Sequence, residues 1–241
     1  KFDYVSKHWV LGQEINTPSL HYTENISKMD YPYNGWLFLG FRKEFFKKPN
    51  LGYGWGIQFG STGAEASLAK VFQNTYHTYI INAKQLTWAS SIPQAFHLNS
   101  NLSFFWGKPF NDKIKFITSN KIQFGSFRTS INSRYGLQFG SLKGLPFFGN
   151  RLEILENGFS FFLGMELENN FHDYSLSGSL FSQSSPFNLV AEKLRNKYQA
   201  GFIYFKLPWK VNFLFNNTSR YIKTQKYNRH LFLKIAITRI F

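Results

Sequence analysis

The segment "GFSFFLGMELE", residues 158–168, decides the fold class because its apolar side chains recur at every second position. One face would carry Phe159, Phe161, Leu163, Met165 and Leu167, and the other Ser160, Gly164, Glu166 and Glu168. Side chains of a β-strand point alternately to the two faces of a sheet. The period of two therefore predicts a strand with one apolar and one polar face.

The same alternation recurs along most of the chain. Further examples are "YGWGIQFG" (53–60), "SINSRYGLQFGS" (130–141), "WKVNFLFNN" (209–217) and "HLFLKIAITRIF" (230–241). We predict ten to twelve strands, at about 4–15, 34–46, 53–60, 99–107, 113–127, 130–141, 158–168, 174–181, 197–206, 209–219 and 229–240. No linker or break in composition interrupts them, so the sequence predicts an all-β chain with a single domain, residues 1–241.

A soluble antiparallel sandwich and a membrane barrel both produce this alternation. Two features favour the barrel. The polar faces are rich in Gly, Gln and Asn, as in a wet lumen, and aromatic residues gather near strand ends, as in the girdles at a membrane surface. These aromatic residues are Trp36, Trp55, Trp106, Tyr204 and Trp209. We therefore predict a closed antiparallel transmembrane β-barrel of about twelve strands.

Composition limits the function classes. No window approaches the roughly 18 consecutive apolar residues of a spanning helix, which excludes a helical membrane protein. The 28 Lys and Arg against 13 Asp and Glu give a net charge of +15. They are scattered among aromatic residues without a basic block, so an anionic lipid surface is favoured and no nucleic-acid partner is expected. The chain has no cysteine, which excludes disulfides and thiolate metal sites.

One segment breaks the period of two. In "GAEASLAKVFQNTYHTYII", residues 63–81, apolar residues fall at helical spacing. Thr62 and Glu65 have the spacing of a capping box. We predict a short helix over about 63–81 at the rim of the barrel, lying over its mouth or along its wall. Lys70, Gln73 and His77 would share one face, because residues three and four apart are neighbours on a helix.

A glutamine and a histidine on a helix can simply face solvent. The functional interpretation is that a neutral imidazole accepts a proton from a water or hydroxyl nucleophile. Three stretches bear on the choice, and they occur in the order "LGQEINTPS" (11–19), "DYPYNGWLFLG" (30–40) and "QNTYH" (73–77). Together they resemble the outer-membrane lipid A 3′-O-deacylase family, which carries Gly-Gln-x-x-x-Thr-Pro, Asp-Arg-Pro-Tyr-Ala-Gly-Trp-Leu and Gln-x-x-x-His at these places. Gln85-Leu86, after the helix, also fits.

The resemblance implies a twelve-stranded barrel in the bacterial outer membrane, with a calcium-dependent site between the barrel wall and a short helix. The implied reaction is hydrolysis of an ester of lipid A, with His77 as general base and Gln73 orienting the substrate or the base. We further expect Lys70, Trp36 and Tyr33 to contact the substrate. The expected partners are lipid A or lipopolysaccharide, other outer-membrane lipids and, as a further alternative, protein subunits of an outer-membrane complex.

The sequence also departs from the family pattern. The relatives open with an Asn-Asp pair and an Asp-x-x-Tyr-Thr-Asn-Gly stretch, which Phe2-Asp3-Tyr4 does not reproduce. Ala89 and Ser90 stand where the relatives carry a glutamate. The departures favour a degenerate, non-catalytic relative that lacks the N-terminal catalytic segment and binds lipopolysaccharide or serves as a structural subunit. The alternative is an active calcium-dependent deacylase, and a passive pore is a third, weaker interpretation.

Overall fold

The structure is a computed structural model that describes residues 3–151, 154, 156–181, 189–223 and 225–240. These residues form ten strands: β1 (Tyr4–Asn16), β2 (Asn34–Lys48), β3 (Leu51–Thr62), β4 (Phe96–Pro109), β5 (Ile114–Gly125), β6 (Arg128–Gly140), β7 (Gly158–Asp173), β8 (Leu194–Lys206), β9 (Trp209–Ser219) and β10 (Arg229–Arg239). Two α-helices, α1 (Ala69–Tyr79) and α2 (Tyr174–Ser177), and a 3₁₀ turn at Ile26–Lys28 lie in the connections. No helix of this described part is both long and apolar enough to cross a membrane.

All ten strands belong to one sheet in which each strand pairs antiparallel with its neighbour in sequence. This confirms the prediction of an all-β antiparallel architecture. The sheet curls, and within the described ranges β1 and β10 pair with β2 and β9 but not with each other. A count of twelve strands and closure of the barrel are therefore not confirmed.

Ten of the predicted strands are found, but the one predicted at 174–181 is not. There β7 runs on to Asp173, and the short helix α2 follows. The Asp173 carboxylate accepts hydrogen bonds from the backbone N–H of Ser175 at 3.1 Å and from its hydroxyl at 2.5 Å. A side chain that caps the first turn in this way favours a helix over a continued strand. The sequence Ser184-Ser185-Pro186 predicts a turn in the same connection, but it lies outside the described residues.

The connections differ at the two ends of the sheet. At one end, called here the turn end, they are mostly short, at 49–50, 110–113 and 207–208. The connection 141–157 also starts there, but it folds back against the inner face. At the other end, called here the loop end, lie the longer connections 17–33, 63–95, 174–193 and 220–228, together with the two-residue connection 126–127.

The inner face of the sheet is buried, and its character changes along the strands. Near the turn end it carries an apolar cluster: Phe46, Phe105, Ile117, Leu142, Leu145, Phe147, Phe162, Ile203, Phe205 and Leu214. Toward the loop end it carries ion pairs between neighbouring strands. Arg195 bonds Glu168 at 2.6 Å, and Lys197 bonds Glu166 at 2.8 Å. Charged groups removed from water need such partners, so the polar face seen in the sequence is an interior held in part by ion pairs. Other polar atoms there, among them those of the Asn34 and Asn170 amides, are buried without a partner in the described residues.

The outer face of the sheet is apolar and exposed. On β4 its apolar side chains are Phe96, Leu98, Leu102, Phe104 and Trp106, which are between 38% and 85% exposed. A contiguous exposed apolar surface marks contact with a membrane or another protein.

Helix α1 is shorter than the predicted 63–81, and the predicted capping box is wrong. The residue before the helix is Leu68, in a left-handed conformation (φ 56°) and without a capping side chain. Thr62 instead donates its hydroxyl to Pro93 O at 3.0 Å, and Glu65 is an exposed partner of Lys70. The segment before α1 is held by other bonds: Ser67 donates its hydroxyl to Gly63 O, and Ser61 to Ala66 O.

Candidate functional site

Helix α1 lies against the outer face of β1 and β2, near the loop end. The side-chain amide of Gln13, on the outer face of β1, donates a 2.5 Å hydrogen bond to Ser67 O. On β2, a Cβ added to Gly35 would lie 2.0 Å from Ser67 Oγ and 2.4 Å from Ala69 Cβ. Only a glycine at this position lets the start of the helix approach the strand so closely. Of the two predicted positions, over the mouth or along the wall, helix α1 therefore takes the one along the wall.

An aromatic cluster supports α1 from the wall side. Tyr33 and Trp88 stack with their ring centroids 5.0 Å apart, and both are buried together with Ala69 and Leu86. The Tyr33 hydroxyl donates to the backbone carbonyl of His21. Burial raises the pKa of Tyr33, which keeps the phenol protonated and able to donate. The packing fixes the loop 17–33 and the segment after α1 in one position.

Helix α1 turns its polar face to the wall and its apolar face outward. The outward residues Leu68, Val71, Phe72, Tyr76 and Tyr79 are between 45% and 80% exposed. The half-buried residues Lys70, Gln73, Asn74 and His77 lie on the opposite side of the helix. This arrangement is the reverse of a helix packed on a water-soluble protein.

The inward face of α1 contains two buried polar atoms that lack a partner. His77 Nδ1 and Gln73 Oε1 are sealed from solvent, and neither makes a hydrogen bond within the described residues. A buried polar group left unpaired costs about 1–3 kcal/mol. A water or a ligand can bind such atoms. Similar atoms occur on the inner face, as at Asn34 and Asn170, but those of His77 and Gln73 lie side by side on one helix face.

The other predicted site residues lie in three different surroundings. Lys70 is on the same face as His77, but its ammonium pairs with Glu65 at 3.0 Å near the surface. Tyr33 belongs to the aromatic cluster under the start of α1. Trp36 points to the inner face, where it stacks on Phe127 at 4.4 Å and is separated from α1 by the sheet. The structure therefore brings Lys70, Gln73 and His77 together on one helix face, with Tyr33 beneath it and Trp36 on the other side of the wall.

Sequence reasoning missed Asn74 as a positioning residue. Its side-chain amide accepts from Leu86 N at 2.8 Å and donates to Leu86 O at 3.2 Å, which ties the returning chain to the helix. Gln85 adds a 3.3 Å bond to the Thr78 hydroxyl. The helical spacing of Lys70, Asn74 and His77 was the available signal for placing Asn74 on the inward face.

The described residues beside α1 do not fit a calcium ion by themselves. Calcium takes six to eight oxygen ligands, with carboxylates prominent among them. Glu65 is exposed and paired with Lys70, and Glu14 lies on the inner face, 3.5 Å from Arg128. Within the described ranges, no group of three or more His, Asp or Glu is arranged to hold a metal. A calcium requirement therefore remains a prediction.

Comparisons with known proteins agree with this architecture. No curated protein matches the sequence. The solved structure of LpxR from Salmonella typhimurium superposes with a TM-score of 0.81 at 17% sequence identity, covering 98% of this chain and 84% of that one. This likeness shows the fold. The family model described as "Outer membrane protein LpxR" matches residues 3–241, nearly the whole chain, and the chain therefore belongs to the LpxR family of outer-membrane proteins.

Proposed function

We propose that this protein hydrolyses an acyl ester of lipid A between α1 and the outer face of β1 and β2. The observation that carries the proposal is the pair of unpartnered buried atoms, His77 Nδ1 and Gln73 Oε1, on the inward face of a helix whose apolar face points outward. An ester of a membrane lipid is reached from the lipid side of the wall, and α1 lies on that side.

In the proposed reaction, His77 is the general base. Its imidazole takes a proton from water while the water oxygen attacks the ester carbonyl carbon. The tetrahedral intermediate then collapses, the bond between the carbonyl carbon and the sugar oxygen breaks, and the imidazolium returns its proton to that oxygen. The products are a free fatty acid and a lipid A with one acyl chain fewer.

The neighbouring groups would position the substrate. The Gln73 amide offers an N–H to the developing oxyanion and an oxygen to the attacking water. Lys70, already near the surface, could exchange Glu65 for a phosphate of lipid A, because the existing ion pair is exposed and therefore weak. Both unpartnered atoms are sealed in this structure, so α1 must move outward for the ester to enter.

The test is mass spectrometry of lipid A from cells that express the full-length protein. Expression should produce lipid A that lacks one ester-linked acyl chain, and His77→Ala should reduce this product by about 10²–10⁴-fold. Thr75→Ala, on the exposed side of the same helix, is the matched control and should leave the product unchanged. An unaltered lipid A profile with correctly folded, membrane-inserted protein would refute hydrolysis.

A second candidate is a relative that binds lipopolysaccharide without cleaving it. The observation in its favour is that Glu14 and Glu65 are both committed to other partners, so neither carboxylate orients His77. In that case cellular lipid A would stay intact, while the purified protein would retain lipopolysaccharide and lose it on Gln73→Ala. Recovery within a larger assembly would extend this candidate to a structural subunit.

A further inference from the structure

A groove on the outer face of β6–β10 lies away from α1. Its volume is about 540 Å³, and the outward side chains that line it include Leu163, Met165, Tyr198, Ala200, Phe215 and Leu231. Four of these, Leu163, Tyr198, Phe215 and Leu231, are more than half exposed. The groove is therefore an apolar depression in the surface that faces the membrane.

The depression exists because one small residue sits in a row of large ones. Ala200 is the cross-strand partner of Leu163 on one side and Phe215 on the other. In the next outward row toward the turn end, Phe202 lies between Phe161 and Phe213, with ring centroids 5.1 Å and 6.5 Å apart. The Ala200 methyl group forms the floor of the depression, and the aromatic rings of the next row close it toward the turn end. Such a depression has the shape and polarity to hold a hydrocarbon chain.

A fixed positive charge stands at the loop end of the groove. The Arg229 guanidinium donates to Asn217 Oδ1 at 2.5 Å, Asn217 O at 2.6 Å and Asn196 Oδ1 at 2.8 Å. It also lies 4.7 Å above the centre of the Tyr198 ring. None of these partners is an anion, so the guanidinium is held in place without its charge being neutralised. A preorganised guanidinium is well suited to bind a phosphate.

We propose that this groove is a second lipid A site, in which one acyl chain lies over Ala200 and a phosphate of the lipid binds Arg229. The position of the charge selects the lipid. Short connections of outer-membrane barrels face the periplasm and long ones face outward, so the loop end lies in the outer leaflet, where lipid A carries both phosphates and acyl chains. A phospholipid of the inner leaflet would place its phosphate at the turn end instead.

The test compares lipid retention by the full-length protein after extraction, using native mass spectrometry with purified lipid A as the probe. Ala200→Phe fills the depression and should lower occupancy of this site about tenfold, and Arg229→Gln should lower it severalfold. The matched controls are Ser100→Phe, a small outward residue on β4, and Arg239→Gln, near the turn end of β10. Neither control should change retention.

Two results would overturn the proposal. One is equal retention by Ala200→Phe and Ser100→Phe, and the other is retention of phosphatidylglycerol as strongly as lipid A by the unaltered protein. The outcome is separate from the proposed hydrolysis. His77→Ala should leave retention at Arg229 intact, and Ala200→Phe should leave the acyl pattern of cellular lipid A unchanged.

Discussion

Two regions of the outer wall differ in composition because different material covers them. On β4 most outward positions, such as Leu98, Leu102 and Phe104, are large, apolar and exposed. Beneath α1 the corresponding positions on β1 and β2 hold Gln13 and Gly35. At this place, a polar and a very small residue in the outward row lie where protein, rather than lipid, covers the wall.

The helix shows the same contrast in reverse. Its apolar residues Val71, Phe72 and Tyr79 point away from the protein, while Gln73 and His77 point toward it. In water this orientation would expose apolar surface at a cost of roughly 25 cal/mol per Å². At the surface of an outer-membrane protein it costs nothing, and it places polar groups where substrate chemistry can occur.

The largest effect is expected from a charge on the outer face of β4, which no segment of the described chain covers. Leu102→Lys places an ammonium on the lipid face near the middle of β4, and it should lower the free energy of unfolding by about 2–4 kcal/mol. Leu102→Ala is the control that removes apolar area without adding charge. Both are measured by reversible unfolding of the protein in phospholipid vesicles. Equal losses for Lys and Ala would show that this region does not face lipid.

The next largest effect is expected from a change in how closely α1 packs on the outer face of β1 and β2. Gly35→Ala puts a methyl group into Ser67 and Ala69, so the start of the helix must move outward. If His77 acts as proposed, a displacement of this size should reduce release of the acyl chain about 100-fold. Hydrogen exchange should also become faster in α1, which gives a readout that does not depend on catalysis.

The control for this change lies on the same strand. Gly40 faces inward, and an added Cβ would meet Gln58 Cγ at 3.2 Å as its nearest atom, which a flexible side chain can accommodate. Gly40→Ala should leave both activity and exchange in α1 unchanged. Equal effects of the two alanines would argue against close packing of the helix on Gly35.

A smaller effect is expected where the chain returns from α1. Asn74→Ala removes both bonds to Leu86, and the local free energy of opening should fall by about 1 kcal/mol. The measurement is hydrogen exchange of the segment 80–90, with Thr75→Ala as the control. Thr75 is a neighbouring exposed position, so its change alters helix propensity without touching Leu86. Unchanged exchange in Asn74→Ala would show that other contacts hold the segment.

Much of this fold could be predicted from the sequence because lipid and a packed interior impose opposite demands on alternate residues. The prediction failed at 174–181, where a capping bond from Asp173 decides the local structure and no periodicity reports it. It also failed at the start of α1, since Thr62 fits a capping box but bonds Pro93 instead. The first choice rests on a local side-chain bond that alternation does not report, and the second on a partner 31 residues away in the sequence.

Only part of the candidate site could be predicted from the sequence. The motif residues Gln13 and Gly35 do meet the segment that leads into α1. Alternation alone could have separated Tyr33 and Gly35 from Trp36, because adjacent residues of a strand point to opposite faces. The sequence could not predict that the polar face of α1 would turn inward, since helical spacing defines the faces but not which one is buried.

The smallest effect is expected for a charge on the exposed face of α1, which is compared with the same charge at Leu102 on β4. Phe72→Lys adds the same charge to an apolar, 55% exposed position, but at the loop end rather than mid-strand. The cost of a lysine falls to about 0–1 kcal/mol near the membrane surface, where its long side chain reaches the headgroups. Unfolding in vesicles measures it beside Leu102→Lys, with Phe72→Gln as the neutral control. A loss as large as that of Leu102→Lys would place α1 deep in the hydrocarbon layer, too far from the ester linkages and phosphates of lipid A for His77 to act on them.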